Sequence, residues 1–175
     1  MNLMIAGIQG SGKGTHAATL AKIFKLKHIS FGDTIKECLT NNPSLVYPYT
    51  LEKYNNGELA PDEVLFKVAD TYLTEGNFIL DGFPRTQGQM DYILDHFEID
   101  HCIYLELEED VAIERLKSRG RSDDSVEGIK RRLIQFHEHT EPIFKIFEDR
   151  GIMTRVNSDQ TEEDTLKKII EIFTI

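Results

Sequence analysis

The residues Gly7-Ile8-Gln9-Gly10-Ser11-Gly12-Lys13 have the composition and spacing of a loop built to hold phosphate. Its glycines permit backbone angles at which successive N–H groups converge on phosphate oxygens. A helix starting at the end of the loop adds its positive N-terminal pole. Lys13 brings a point charge for β- and γ-phosphates. Gly10, Ser11, Gly12, Lys13, Gly14 and Thr15 are therefore the candidate ATP-phosphate ligands. The hydroxyl comes one place late, since Gly14 follows the lysine and Thr15 carries the OH. That displacement argues against a generic GTPase.

Asp81-Gly82-Phe83-Pro84-Arg85 follows the apolar run Phe78-Ile79-Leu80. A carboxylate at a strand end facing a phosphate loop can hold Mg²⁺ through water, so Asp81 is the metal candidate. Arg85 extends from a proline-stiffened turn and offers a planar fork for an α-phosphate. The Gln89 amide can donate and accept at once, which suits the N1 and N6 edge of adenine. Two nucleotides carrying a combined charge of about −6 need positioning and electrostatic stabilisation more than covalent help. The histidines, His16 and His28 among them, make no triad or metal spacing.

The chain has a formal net charge of −10, which argues against a general affinity for nucleic acid. Against that background Arg115, Lys117, Arg119, Arg121, Lys130, Arg131 and Arg132 fall close together, a cluster that suggests a local anionic ligand. Arg115 and Arg119 are four apart and share a helix face. Val126, Ile129, Leu133 and Phe136 form the apolar stripe of the next helix. Arg132 flanks that stripe by roughly 80° while Arg131 points nearly opposite, so Arg132 is the site candidate.

These residues need a scaffold that brings separate segments to one edge. Residues 2–6 read as a strand, and Ala17, Leu20, Ala21 and Phe24 keep helical spacing behind the loop. Further strands are expected at His28–Ser30, Phe78–Leu80, 102–107 and Ile152–Val156. Helices are expected from about Asp33, near 49–56, after Pro61, over 109–118, from about Ser125 through an Asp124/Glu127 capping box, and at Thr161–Phe173. Strands alternating with helices predict an α/β fold: a five-stranded parallel sheet wrapped by helices on both faces. Ligands of such sheets bind beyond the carboxyl ends of the strands, where the phosphate loop and Asp81 fall.

The longer string Gly7-x-x-Gly10-x-Gly12-Lys13-Gly14-Thr15 resembles the start of the adenylate kinases, and the likeness runs from residue 2 to about 157. Ser30-Phe31-Gly32-Asp33 and Gly57 through Glu63 resemble the segments around the monophosphate. Asp81 through Thr86 with Gln89 matches the most diagnostic motif of that family, and Arg115, Arg119, Arg121-x-Asp123-Asp124 and Arg132 follow the spacing of its lid arginines. The resemblance implies a P-loop NTPase fold in one domain over 1–175. Its core would span about 1–29, 60–118 and 125–175, with a small helical monophosphate-binding insertion at about 30–59 and a minimal lid at about 119–124. It implies reversible phosphoryl transfer from Mg-ATP to AMP. Lys13, Arg85, Arg119, Arg121 and Arg132 would be catalytic. ATP would also meet Arg115 and Arg119. AMP would meet Phe31, Lys36, Leu59, Ala60, Gly82, Arg85, Gln89, Arg121 and Arg132, and Mg²⁺ would be held through water by Asp81 and Asp33.

Departures from the family pattern are specific. Phe31 replaces Thr or Ala and can only stack on or pack beside a base. Lys36 replaces Arg and loses the bidentate fork. Gln9 stands for a common Pro, and His16 for a common Gln. Residues 119–124 leave almost no lid, which removes the zinc site of long-lid relatives and predicts some ATP hydrolysis without AMP. A UMP/CMP kinase is the rival enzyme, although Thr86 and Gln89 favour AMP. An adenylate kinase-like ATPase acting in assembly or nucleotide sensing is the rival from another class. Cys38 and Cys102 are in no metal or disulfide pattern. No signal peptide or apolar span is legible, so the expectation is a cytoplasmic monomer, off membranes and free of nucleic acid.

Overall fold

In the computed structural model, residues 1–55, 58, 60–119 and 126–174 are described, without the Asn55 side chain. Five parallel strands, β1 (Leu3–Gly7), β2 (Lys27–Ser30), β3 (Phe78–Asp81), β4 (His101–Glu106) and β5 (Met153–Asn157), lie in the order β2-β3-β1-β4-β5. Central β1 is buried along its whole length, as a strand covered on both faces must be. Side chains alternate across the sheet. Leu3, Ile5, Ile79, Ile103 and Leu105 face one core with Ala17, Leu20 and Ile169. Met4, Ala6, Leu80, Cys102 and Tyr104 face the other.

The first core is roofed by α1 (Lys13–Phe24) and α10 (Glu162–Glu171). The second lies under α2 (Phe31–Asn41), the short α3 (Pro43–Val46) and α4 (Leu51–Asn55), then α5 (Asp62–Tyr72), α6 (Gln87–His96), α7 (Glu109–Arg119), α8 (Val126–Gln135) and α9 (Lys145–Asp149). Helix ends follow ordinary chemistry. Thr86 caps α6 by accepting from the Gln89 N–H, and Thr161 caps α10 by accepting from the Asp164 N–H. Both cysteines are free and buried, and burial pushes the Cys102 thiol up.

Several boundaries differ from those expected, for reasons the pairing makes plain. Gly7 joins β1 because it pairs with Leu105. Asp81 joins β3 because it sits between Ile5 and Ser30. The stripe of α8 keeps Ile129 and Leu133, with Phe136 just beyond, buried, but Val126 is 50% exposed at the start of the helix. Beyond α8 the winding loosens into a π-turn over Phe136–Thr140, with the Glu141 N–H donating to the Phe136 carbonyl at 2.7 Å. Pro142 follows and has no N–H with which to continue the helix. The capping box at Asp124 lies outside the described residues. Among the described residues no helix is long and apolar enough to cross a membrane.

Leu20 is fully buried between α1 and the sheet. Replacing it with alanine is expected to lower stability by about 2–5 kcal/mol. Urea unfolding should show a lower midpoint with an unchanged slope. A midpoint matching the parent's would contradict this placement.

Candidate active site

The loop between β1 and α1 is built from backbone that only glycine tolerates at close quarters. A Cβ on Gly7, whose φ is +134°, would meet the Leu105 carbonyl oxygen at 2.4 Å. One on Gly10 (φ +91°) would meet the Ala112 carbonyl at 2.9 Å. Gly12 ends the loop in a left-handed conformation and starts α1 at Lys13. The Lys13 ammonium folds back and donates to the Gly7 carbonyl at 2.8 Å and the Ile8 carbonyl at 2.9 Å. A Cβ on Gly14 would come into ordinary contact with Asp81 Oδ2, at 3.4 Å, so the first turn of α1 sits beside that carboxylate.

β3 carries Asp81 to the same edge, where it is 9% exposed. Arg85 is reached through the Gly82-Phe83-Pro84 turn. Its Nε donates to the Gly82 carbonyl at 2.8 Å, and the Thr140 hydroxyl donates to the Arg85 carbonyl at 2.9 Å. Arg85 keeps exposed surface, yet its guanidinium is crowded by protein. Burial lowers the Lys13 pKa to about 8, opposed by Asp81 and reinforced by Arg85 and Arg119. Burial lowers Arg85 as well; Asp81 opposes this and Arg132 adds to it. Asp81 is raised, first by burial and further by Asp33, while Lys13, His28 and Arg85 pull it down. Lys13 thus lies within electrostatic reach of Asp81, Arg85 and Arg119, and Arg85 within reach of Asp81 and Arg132, so one chain of contacts links the five groups.

A cavity of about 270 Å³ beside the loop is lined by Gly10, Ser11, Thr15, His16, Arg115 and Ser158, with residues of α10. Ser11 Oγ and His16 Nδ1 are buried there without a hydrogen-bond partner, which is unusual unless a ligand supplies one. Burial lowers the His16 pKa, so the ring faces the cavity neutral. The Arg115 guanidinium donates to the Ser158 carbonyl at 3.0 Å, tying α7 to the loop after β5. A larger cavity of about 590 Å³ opens near the amino ends of β4 and β5, beside Phe97, Ile99 and Ile152. None of the phosphate-loop residues lines it, whereas the smaller cavity is bounded by Gly10, Ser11 and Gly12 of that loop, so the smaller one is the one that bears on phosphate binding.

Mg²⁺ prefers a few hard oxygen donors and keeps much of its water. Asp81 and Asp33 fit that preference. They are near enough for Asp33 to oppose ionisation of Asp81, a repulsion that a dication would relieve. Asp33 Oδ2 also accepts from the Ser30 hydroxyl at 2.8 Å. Among the described residues no cluster of three or more His, Cys, Asp or Glu side chains could form an all-protein metal cage.

Other sequence candidates fall in distinct places. Phe31 is 2% exposed and stacks on Phe83 with centroids 4.3 Å apart and planes at 12°, which puts it in the core rather than on the surface. Lys36 is exposed on α2 and in no ion pair among the described residues. Ala60 is half-buried against the core. Gln89, which a helix position alone would leave exposed, is 5% exposed: its Oε1 accepts from the Arg85 N–H and its Nε2 donates to Asp62, both at 2.7 Å. Arg132 is half-buried and Arg131 exposed. Leu59, Arg121, Gly57 and residues 120–124 of the expected lid lie outside the described residues. Sequence reasoning placed Asp62 in the stretch 57–63 that resembles an acceptor segment but gave it no role of its own, and it missed Thr140, which no motif marks. It also missed His28 as a neighbour of Asp81; the Ser30↔Asp81 pairing, not any motif, brings it there.

Comparison with known proteins gives a consistent answer. A family model described as adenylate kinase matches residues 5–152. An adenylate kinase of Bifidobacterium longum is 38% identical over 173 residues, covering 90% of this chain and 91% of that relative. One of Parasynechococcus marenigrum is 33% identical with 97% of each covered, and adenylate kinase 2 of a Nostoc species is 31% identical with 100% of each covered.

The Lys13 value gives a direct test. Because its folded pKa of about 8 lies below the ordinary 10.5, the buried ammonium opposes folding at neutral pH, and stability from this group rises as pH climbs between the two values. Side-chain NMR should find a Lys13 midpoint near 8. Asp81→Asn should lower it further, because Asp81 is the group that favours the ammonium. An unchanged or raised midpoint in the variant would contradict the geometry.

Proposed function

The chain belongs to the adenylate kinase family, and we propose that its phosphate-loop edge performs the reaction of that family, reversible transfer of a phosphoryl group from Mg-ATP to AMP giving two ADP. The observation that carries this is the gathering of Lys13, Asp81, Arg85, Arg119 and Arg132 at the carboxyl ends of β1 and β3. An α-phosphate oxygen of AMP attacks the γ-phosphorus in line, the bond from that phosphorus to the β–γ bridging oxygen breaks, and the β-phosphate of ADP leaves with the electron pair. Charge is conserved and no proton need move, which agrees with a site holding no nucleophile–base pair.

Each residue then has a task. The loop N–H groups and Lys13 hold the β- and γ-phosphates, and Lys13 exchanges its two carbonyl partners for phosphate oxygens. Arg85, braced through its carbonyl by Thr140, holds the acceptor phosphate. Arg119, Arg132 and, by resemblance, Arg121 meet the charge that spreads over the transferring group. Arg115, tied to Ser158, lines the side where the donor adenosine would lie. Asp81 and Asp33 would hold Mg²⁺ through water, where the ion would supply positive charge to offset that of the donor phosphates. Phe31 supports the acceptor site from behind, through Phe83, and Lys36 offers it an exposed charge. In this reading residues 30–59, with Ala60 beside them, form the acceptor part and 119–124 the residual lid. The same reading takes the chain to work as a cytoplasmic monomer, and the two buried free thiols suit a reducing compartment.

The test is ADP formation from Mg-ATP with AMP, GMP, CMP or UMP, beside a blank without acceptor. AMP should give the highest turnover, and Lys13→Ala should abolish it. Arg85→Ala should lower kcat by about 10²–10³-fold, the usual cost of losing one donor to developing charge. Nucleotide hydrolysis indifferent to any acceptor would contradict the proposal and favour an ATPase.

A further inference from the structure

We propose that Asp62 fixes which way round the Gln89 amide stands, and so makes the acceptor site read adenine rather than guanine. The proposal rests on the reading above that Gln89 faces the acceptor base. An amide is nearly symmetric in shape and opposite in chemistry at its two ends: the oxygen only accepts and the nitrogen only donates. Adenine offers an acceptor at N1 and a donor at N6, whereas guanine offers a donor at N1 and an acceptor at O6. A half-turn of the glutamine amide therefore converts an adenine reader into a guanine reader without moving another atom. Something must forbid that half-turn.

Two contacts do so here. The Arg85 backbone N–H donates to Gln89 Oε1, and Gln89 Nε2 donates to Asp62 Oδ1, each at 2.7 Å. Both partners are one-way groups, since a peptide N–H cannot accept and a carboxylate cannot donate. Turning the amide would set donor against donor and acceptor against acceptor at a side chain 5% exposed, where water offers little rescue. The locks still leave one N–H on Nε2 and one lone pair on Oε1, the pair of functions that adenine needs. The supports are rigid: Asp62 begins α5, and Gln89 sits in the first turn of α6, its own N–H held by the Thr86 hydroxyl. Of the two locks only Asp62 is a side chain, so it is the position at which sequence sets the amide. It is a positioning residue, acting through Gln89.

The experiment compares kcat/KM for AMP and GMP, with the inhibition constant of GMP against AMP where GMP turnover is too slow. The parent is measured beside Asp62→Asn, Asp62→Glu and Gln89→Ala. Asp62 is exposed, so these variants are expected to fold, and thermal melting confirms it. Asp62→Asn can donate as well as accept, and should lower the AMP-over-GMP ratio about tenfold while KM for ATP stays at the parent value. Asp62→Glu, which remains acceptor-only, should restore most of the ratio. An unchanged ratio in Asp62→Asn, with Gln89→Ala lowering it, overturns the role of Asp62 alone. So does an equal loss for both acceptors, which would mark Asp62 as merely structural. If Gln89→Ala also leaves the ratio untouched, the acceptor reading of Gln89 fails instead.

Discussion

The structure depends on holding one ammonium group, that of Lys13, half-buried and crowded by protein. Taking a cation out of water is costly unless its hydrogen bonds are replaced. The chain replaces them with two loop carbonyls and the nearby charge of Asp81. Much of the local architecture follows from that arrangement. The loop can turn and lie against Leu105 and Ala112 only because Gly7 and Gly10 lack a Cβ. β3 extends one residue further than its apolar run so that Asp81 lies across from β1.

Compensation is incomplete. Arg85 and Arg119 add positive charge around Lys13, and Arg132 adds it around Arg85. Both Lys13 and Arg85 have lowered pKa values, first because protein crowds them away from water and then because of these neighbouring cations, with Asp81 opposing both. A polyphosphate offsets that positive charge, because each oxygen it brings meets a donor already in place. The same positive charge is what a phosphoryl group needs as its charge spreads during transfer. Ground-state discomfort in the free protein and stabilisation of the reaction are thus two aspects of one charge distribution.

What the sequence made legible was the chemistry that is local in the chain. The phosphate loop is contiguous, its glycines follow largely from its own backbone, and the alternation of strands and helices points to a parallel sheet, though not to its strand order. Asp81 and Arg85 could be read because both sit within a few residues of one strand end. Less was legible where partners lie far apart in sequence. The Asp62–Gln89 bond spans 27 positions and the Thr140–Arg85 bond 55, and no periodicity links either pair. Phe31 was legible as an aromatic near the acceptor, but its stacking on Phe83 depends on how α2 docks on the turn after β3. The π-turn after α8 escaped because apolar spacing reads the same through a widened turn.

The central claim is that nucleotide binding completes the neutralisation of a buried lysine, so binding and protonation must be linked. Calorimetric titration of the protein with Mg-ATP at pH 8, in buffers of differing ionisation enthalpy, measures this directly. With Lys13 at a free pKa of about 8 and raised by bound phosphate, binding should take up about half a proton, and affinity should fall as pH rises further. Lys13→Met should remove that uptake. Binding that neither takes up a proton nor changes with pH between 7 and 9, or that releases one, would contradict the account.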